Sequence, residues 1–303
     1  MPSFLGIDTS NYTTSVALVR DGKVEANIRL PLLVAPGEKG LRQSDAVFLH
    51  TKQLPGAFAI LGKTKIDAVG VSSVPRDAPG SYMPCFLAGV SAAEAISNVN
   101  GIPLYSFSHQ SGHFAAAAYS AGVPELIDGE CIAFHLSGGT TEIVLWKKGK
   151  ADRIGGTNDL TAGQAIDRIG VLLGFPFPCG GAMEHTAESG NVSEKISPSV
   201  CGLSCNLSGI ENLAKRKISS GESKENVASF VLAFIGETID RLSENVRALY
   251  DLPILYAGGV MRNAAFRKKL GKRGNTYFAL PDFSSDNAAG AALLAERRFI
   301  EKE

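Results

Sequence analysis

The segment Cys131–Trp146 reads C-I-A-F-H-L-S-G-G-T-T-E-I-V-L-W: a strand, a tight Ser-Gly-Gly-Thr reversal and a second strand. Bulky and β-branched runs flank the turn, and Gly138 and Gly139 permit the sharp reversal. Backbone N–H groups in such a turn can converge on an anion, and Thr140 and Thr141 add hydroxyls. A plain β-hairpin would use the same residues. The stronger constraint is repetition. Phe4–Val19 reads F-L-G-I-D-T-S-N-Y-T-T-S-V-A-L-V, and its Thr13–Leu18 can be laid over Thr140–Leu145. Each copy opens one half of the chain, so the pattern predicts a duplicated supersecondary unit. Two phosphate-cradling hairpins facing one another would form a nucleotide cleft between two lobes.

A chain of 303 residues can bury a large core and is expected to divide into two domains. With 45% hydrophobic and 20% charged residues it carries no signature of disorder. A formal charge of zero and a pI near 7.0 give no strong electrostatic drive toward nucleic acid. The short basic runs Lys147-Lys148 with Lys150, and Lys215-Arg216-Lys217, read as solvated surface. The N-terminus passes straight into a strand without a signal-peptide pattern, and no apolar run is long enough to span a bilayer. The chain is therefore expected to be cytoplasmic, with no membrane partner. Cys85, Cys131, Cys179, Cys201 and Cys205 are odd in number and scattered, which favours free thiols over a zinc site.

Along the chain, residues 4–10 form a strand ending in Asp8-Thr9-Ser10. Asp8 at its tip either orients a metal or a water beside a phosphate, or caps the turn. Asp21-Gly22 predicts a hairpin, and Val24–Leu30 the third strand of a meander. Residues 36–44 read as a loop, and Ala46–Leu61 as a helix that Pro55-Gly56 interrupt or restart. Ile66–Val74 is a buried strand, Arg76–Gly80 a loop, Ser81–Asn98 a helix with Pro84 in its first turn, and Ile102–Ser106 a short strand. Gly155–Asp159 reads as a glycine-rich turn, and Thr161–Leu173 as an amphipathic helix with Gln164 and Asp167 near one face. Gly174–Gly181 is a rigid loop whose glycines suit a flat ring or a sugar. Residues 184–209 read as irregular, and Glu222–Tyr250 as one long helix or two meeting near Gly236. Ile254–Val260 is a strand ending in Gly258-Gly259, followed by a helix, Arg262–Leu270, opened by Asn263. A strand feeding glycines and a helix N-terminus is a usual way to hold a nucleotide, although the G-x-G-x-x-G spacing is absent. Tyr277–Ala279 is a last strand, Phe283–Asn287 a polar loop and Ala288–Glu296 a terminal helix.

His109 and His113 stand in S-H-Q-S-G-H-F-A-A-A-A-Y, where a helix begins near Ser108. Their spacing puts both imidazoles on one face of the first turn, able to grip one metal ion. Two hydrogen-bonded histidines at a helix start are the alternative. No Glu follows His109, so this is not the zinc-protease helix. Asp286, in F-S-S-D-N, is either a third, hard ligand or a helix cap. Two imidazoles and a carboxylate suit zinc, iron or manganese, and magnesium less well.

Taken together and in this order, the motifs resemble the TsaD/Gcp family, called Kae-type in archaea and eukaryotes and once named a glycoprotease. That family belongs to the actin, sugar-kinase and heat-shock-chaperone superfamily. The resemblance runs from Leu5 to about Ala295. It implies an α/β, two-lobed actin-like ATPase fold, ribonuclease H-like and duplicated, with the nucleotide cleft between lobes. The N-terminal lobe would be 1–125, with the terminal helix 288–303 packing back, and the C-terminal lobe 126–287. H-Q-S-G-H is similar to the family's H-x-x-G-H and carries metal-ligand roles onto His109 and His113. Ser285-Asp286-Asn287 matches the S/T-D-N motif and makes Asp286 the third ligand. Leu136–Glu142 resembles the second phosphate loop, with Ser137, Gly138, Gly139 and Thr140 on the nucleotide. Asp8–Ser10 resembles the first loop, which makes Asp8 and Ser10 the catalytic candidates. Asp167 resembles the ribose-holding acid with Gly180 beside it, and Gly258, Gly259 and Asn263 the adenine-side G-G-V-x-x-N motif.

The implied activity is transfer of threonylcarbamoyl from threonylcarbamoyl-adenylate to N6 of the tRNA adenosine beside the anticodon. The implied cofactors are one divalent metal ion and ATP or the adenylate. The implied partners are tRNA, a TsaB-like subunit and a small ATPase, and a homodimer is left open. Three departures stand against this. The family's E-T-S-C-D-E-T is Asp8–Thr14 here, with Asn11 and Tyr12 where an acid is usual. Its D-D-A-x-G-E-A-F-D-K is Asp159–Arg168, with Leu160 and Gln164 in place of acids. The early histidine-bearing segment reads Gln43–His50. A nucleotide- and metal-binding regulatory subunit is therefore the alternative, followed by a kinase or ATPase with Asp8 as base.

Overall fold

The computed structural model describes residues 1–10, 12–33, 41–284 and 286–302. Asn11, Ser285 and most of the expected loop 36–44 (its residues 36–40) lie outside the described residues. Strands β1 (Ser3–Asp8) and β2 (Thr13–Arg20) are buried almost throughout, as central strands covered on both faces must be. β3 (Lys23–Pro31) is only half-buried and forms the edge. After helix α1 (Gln43–Leu61) come β4 (Ala68–Val74), α2 (Phe86–Asn100), β5 (Leu104–Ser108) and α3 (His109–Ser120). The first sheet has the order β3-β2-β1-β4-β5. Its first three strands are an antiparallel meander, and β1, β4 and β5 run parallel.

The second half repeats this plan. Strands β6 (Glu130–Leu136), β7 (Thr141–Lys147) and β8 (Lys150–Thr157) precede helices α4 (Ala162–Leu172) and α5 (Gly180–Ala187). A small hairpin, β9 (Ser199–Cys201) and β10 (Ser204–Asn206), leads to α6 (Ser208–Ser219) and α7 (Lys224–Leu249). β11 (Ile254–Ala257), α8 (Ala264–Leu270), β12 (Thr276–Phe278) and α9 (Ala289–Ile300) complete the chain. The second sheet has the order β12-β11-β6-β7-β8-β10-β9. Read from its meander, β8-β7-β6-β11-β12 reproduces β3-β2-β1-β4-β5, with β11 parallel to both β6 and β12. The hairpin β9-β10 is an addition at the edge. The duplication expected from the two Thr-Thr motifs is thus present in the topology.

Contacts divide the chain into two units. One comprises Met1–Glu130, Trp146–Asp152 and Ala279–Glu303, the other Cys131–Leu145 and Arg153–Phe278. In the first unit, Leu5, Ile7, Val16, Val69 and Val71 pack under Leu54 and Ala57 of α1 and Ala88 and Ala93 of α2. In the second, Phe134, Leu136 and Ile143 pack against Ile166 and Ile169 of α4 and Val231 and Ile235 of α7. Among the described residues no helix is long and apolar enough to cross a membrane. The five cysteines are free. Burial pushes the Cys131 and Cys205 thiols up to about 12 and about 11, so both behave as apolar core residues.

Several elements differ from their sequence expectation. Helix α1 starts at Gln43 and continues through Pro55, because its Leu54 and Ala57 are anchored in the core. Helix α2 starts at Phe86, after Pro84 rather than around it. Gly155 and Gly156 form no turn; they lie near the end of β8, where a Cβ on Gly155 would collide with Leu203 in the β9–β10 turn and one on Gly156 with the Thr141 backbone at the start of β7. The stretch 184–209, expected to be irregular, holds the second half of α5, both strands of the hairpin and the start of α6. Helix α7 is unbroken at Gly236, whose missing side chain makes room for the Phe266 ring.

Candidate metal centre and phosphate loop

Helix α3 begins where a capping residue tells it to. Ser108 is extended (φ −75°, ψ 149°), and its Oγ accepts the Ser111 N–H at 3.0 Å. His109 is therefore the first helical residue, and His113, one turn later, shares its face. Between them lies Gly112, in direct backbone contact with Gly290 of α9. A Cβ on Gly290 would collide with the Gly112 carbonyl, so only glycine lets the two helices come this close. This close crossing carries Asp286, three residues ahead of α9, to the imidazoles. Asp286 Oδ1 lies 3.4 Å from His109 Nε2 and 3.3 Å from His113 Nε2, and the three ligand atoms all fall within 4.8 Å of one another. The N-cap position of α9 is Ala288, and the Ala289 N–H is taken by Asn287 Oδ1 at 3.1 Å.

Asp8, only 1% exposed, stands behind His109. Its Oδ2 is 2.8 Å from His109 Nδ1, while its Oδ1 accepts the Ser10 N–H at 2.9 Å and the Ser10 hydroxyl at 2.5 Å. Of the two roles weighed for Asp8, it fills that of closing the strand-end turn, and it also orients a histidine. With Nδ1–H donated to a carboxylate, Nε2 is the atom turned toward Asp286. Burial alone would depress the His109 imidazole. The Asp8 charge and the hydrogen bonds to Asp286 and Asp8 outweigh it and lift His109 to about 10. Burial would raise the carboxyls of Asp8 and Asp286, but the facing imidazoles hold both below their ordinary range.

The two Asp286 separations leave room for a metal ion between the groups. Charge-assisted N–H···O bonds run to about 2.7–2.9 Å. The edge of a tetrahedron with metal–ligand bonds of about 2.0–2.1 Å is about 3.3–3.4 Å, the spacing found between Asp286 Oδ1 and both imidazoles. Two imidazoles, a carboxylate and a second carboxylate behind one imidazole form a donor set that suits a divalent ion.

In the second unit, the turn between β6 and β7 is closed by Ser137. Its N–H donates to the Thr140 carbonyl at 2.8 Å, and its Oγ accepts the Thr140 N–H at 3.1 Å. Gly138 and Gly139 are left exposed at the tip. Helix α4 is fastened to this turn: Thr161 Oγ donates to the Gly138 carbonyl at 2.8 Å, and the Ala162 N–H donates to Thr141 Oγ at 2.8 Å. Gly163 lies so close to Gly138 and the Ser137 carbonyl that a Cβ would force the turn away. The turn thus sits at a helix N-terminus, where exposed N–H groups and the macrodipole favour an anion. Strands β6 and β11 are parallel neighbours, with Ala257 opposite His135, so Gly258 emerges beside Leu136. It has φ +95°, and a Cβ there would strike the Leu136 carbonyl. Asn263 caps α8, accepting the Phe266 N–H at 3.1 Å. Asp167 accepts the Cys179 N–H at 2.8 Å and so holds the turn that presents Gly180, the first residue of α5.

The candidate ligands His109, His113 and Asp286 and the catalytic candidates Asp8 and Ser10 therefore lie together in the first unit, and the residues expected to hold a nucleotide lie in the second. Two contributors escaped the sequence reading. Thr161 ties helix to turn, and the T-x-x-Q pattern that opens α4 was a visible signal for it. Glu184, which accepts the Ala264 N–H at 2.7 Å and links α5 to α8, carries no local signal. The departures also acquire physical roles. Gln164 completes the capping box with Thr161. Leu160 is buried in the core of the second unit. Asp159 accepts the Leu207 N–H at 2.7 Å and the Ser208 hydroxyl at 2.6 Å, pinning the start of α6. His50 is fully buried with Nδ1 2.8 Å from Thr14 Oγ. The Thr14 hydroxyl donates to Gln53 Oε1, so His50 Nδ1 carries the proton and donates to Thr14.

The family model described as "TsaD: tRNA N6-adenosine threonylcarbamoyltransferase" matches residues 57–293. The chain belongs to the TsaD family. Relatives of that name include one from Dehalococcoides mccartyi, 30% identical, with 98% of this chain and 93% of the relative covered. Another, from Thermus thermophilus, is 31% identical, with 97% and 92% covered. Among solved structures, full-length HypF in its phosphate- and nucleotide-bound form superposes with a TM-score of 0.63 at 12% identity. It covers 98% of this chain, which spans 55% of the HypF chain. The activator of 2-hydroxyisocaproyl-CoA dehydratase from Clostridium difficile, with bound ADPNP, gives 0.54 at 16% identity, covering 99% and 96%. These structural likenesses establish the fold, that of the actin-like ATPases, as the duplicated sheet order does independently. Nucleotide and metal binding are typical of the TsaD family.

Proposed function

We propose that this TsaD-family chain transfers a threonylcarbamoyl group from threonylcarbamoyl-adenylate to N6 of the adenosine beside a tRNA anticodon. The observation that carries the reading is the meeting of His109, His113 and Asp286 in a chain of this family, with spacings that suit metal coordination. In the reaction, the N6 amine bonds to the carbamoyl carbon, the carbon–oxygen bond to phosphate breaks, AMP leaves and the amine loses a proton. A divalent ion held by His109, His113 and Asp286 would act as a Lewis acid on the donor. The donor set suits iron or zinc, then manganese, and magnesium least.

The chain's own residues then have distinct tasks. Asp8 fixes the tautomer and angle of His109, and Ser10 in turn holds Asp8. The exposed amides of Gly138 and Gly139, with the Ser137 and Thr140 hydroxyls, bind the donor phosphate. Asp167 and Gly180 serve the ribose, and Gly258, Gly259 and Asn263 the base. A largely apolar cavity of about 570 Å³, with Asn263, Gly236, Ala233 and Phe266 on its walls, is of a size that takes a nucleoside. The proposed surroundings are the cytoplasm, with tRNA as acceptor and a TsaB-like subunit and a small ATPase as partners; self-association as a homodimer is a further arrangement of the same reading.

One observation favours a second reading, a nucleotide- and metal-binding subunit without transfer activity. Leu160 puts a buried apolar side chain where the family motif carries an acid. Incubation with threonylcarbamoyl-adenylate, tRNA and the partner subunits separates the two. Transfer that is lost in His109→Ala supports the enzyme, and metal and nucleotide binding without transfer supports the subunit.

A further inference from the structure

A carboxylate outside the candidate metal set is hydrogen-bonded to the start of helix α3. Asp77, in the loop between β4 and α2, accepts at Oδ2 from two hydroxyls at the start of α3, the N-cap Ser108 Oγ at 2.9 Å and Ser111 Oγ at 2.6 Å. Ser108 is the N-cap that fixes His109 as the first helical residue. The same loop holds the next turn atom, since the Gln110 N–H donates to the Pro75 carbonyl at 3.1 Å. Both serines are only 1% exposed, and their hydroxyls also bond each other at 3.0 Å, so the carboxylate and the two hydroxyls form one network.

The geometry gives this contact leverage. At 100° per residue, Ser111 stands about 200° around the helix from His109, so Asp77 grips the side away from the imidazoles. An imidazole Nε2 lies about 6–7 Å from the helix axis. Releasing the grip and letting the first turn rotate by about 20° would move Nε2 by about 2 Å. A shift of that size undoes the 3.3–3.4 Å ligand spacings. We propose that Asp77 is a positioning residue for the metal centre, acting through the Ser108 and Ser111 hydroxyls as an acceptor clamp. The inference rests on the reading of His109, His113 and Asp286 as ligands. Asp77 borders an open cavity of about 250 Å³, so water can replace a truncated carboxylate without leaving a dry void.

The test is metal affinity, measured on full-length protein stripped with chelator and titrated with Zn²⁺ or Mn²⁺ against a competing chelator dye. Melting of each apo-protein is followed by circular dichroism. Asp77→Ala should weaken affinity about 10–100-fold, the range seen when a partner of a metal ligand is lost. Asp77→Asn, which keeps an oxygen acceptor at the same place, should recover affinity to within about threefold of wild type, and Ser111→Ala should fall between. Apo-protein melting should stay close to wild type in all three. Unchanged affinity in Asp77→Ala overturns the proposal. So does failure of Asp77→Asn to recover it, or a loss matched by unfolding of the apo-protein. Absence of stoichiometric binding in wild type would instead defeat the ligand reading on which the proposal stands.

Discussion

Gly139→Val separates what the phosphate turn does for the fold from what it does for a ligand. The Cβ position at Gly139 meets nothing within 4 Å, and its φ is not among the positive ones. Valine there disturbs neither packing nor backbone, and stability should change by less than about 0.5 kcal/mol, as for ordinary surface substitutions. The open space is the space proposed for phosphate. Hydrogen bonds from neutral donors to a charged group contribute about 1.5–3 kcal/mol each. Losing two would weaken a nucleotide by about 3–6 kcal/mol, roughly 10²–10⁴-fold at 1.4 kcal/mol per decade. Calorimetric titration with an adenine nucleotide, beside thermal melting, reads both quantities. Gly163→Ala is the contrast: its Cβ would meet the Ser137–Gly138 backbone, so it should lose stability and binding together. Wild-type nucleotide affinity in a folded Gly139→Val protein would refute the reasoning and reduce the turn to a hairpin.

Three further outcomes follow from the same geometry. His109 titrates near 10 without metal, so at neutral pH it is protonated and a metal must displace that proton. Calorimetry in buffers of different ionisation enthalpy should show about one proton released from this group, with affinity falling about tenfold per pH unit from pH 8 to 6; an enthalpy independent of buffer would contradict this. Burial raises the Asp159 carboxyl, but hydrogen bonds from Ser208, Leu207 and Leu160 outweigh it and bring it down to about 2. Its stabilisation is therefore present above the unfolded value of about 4 and lost as pH falls through 2. Asp159→Asn should be less stable than wild type at pH 6, and the two should converge in acid; parallel curves would show the carboxylate is not responsible. Leu160→Asp should destabilise by at least about 3 kcal/mol, because it buries a polar group in the second core, whereas Gln164→Glu keeps the capping box and should change stability by less than about 1 kcal/mol. Urea unfolding decides both, and a stable Leu160→Asp protein would show that the acid of the family motif can be restored.

Much of this was legible because the chemistry is local. The i, i+4 histidines, the Ser-Gly-Gly-Thr reversal and the Gly-Gly-Val strand end each announce themselves in a few residues. The duplicated sheet was legible from the paired Thr-Thr motifs. The parts that escaped depend on distant packing. Nothing beside Gly290 says that it must touch Gly112, yet this contact delivers Asp286 to the histidines. Asp8 looked like a catalytic or capping residue, and only the fold shows that it faces His109 Nδ1. Gly155 and Gly156 looked like a turn because glycine signals turns, whereas here it permits close passage of a hairpin turn and a strand end. Helix α6 was missed because its apolar face is short and interrupted by Lys and Glu, and its start is fixed from Asp159, 49 residues earlier.

Modification of tRNA by this TsaD-family chain, with a divalent ion at His109, His113 and Asp286, is the proposed activity. Its most direct test is mass spectrometry of nucleosides from unmodified tRNA incubated with metal-loaded protein, threonylcarbamoyl-adenylate and the partner subunits. Wild type should yield N6-threonylcarbamoyladenosine, and His113→Ala at least a hundredfold less. No modified nucleoside from folded, metal-bound wild type would contradict it.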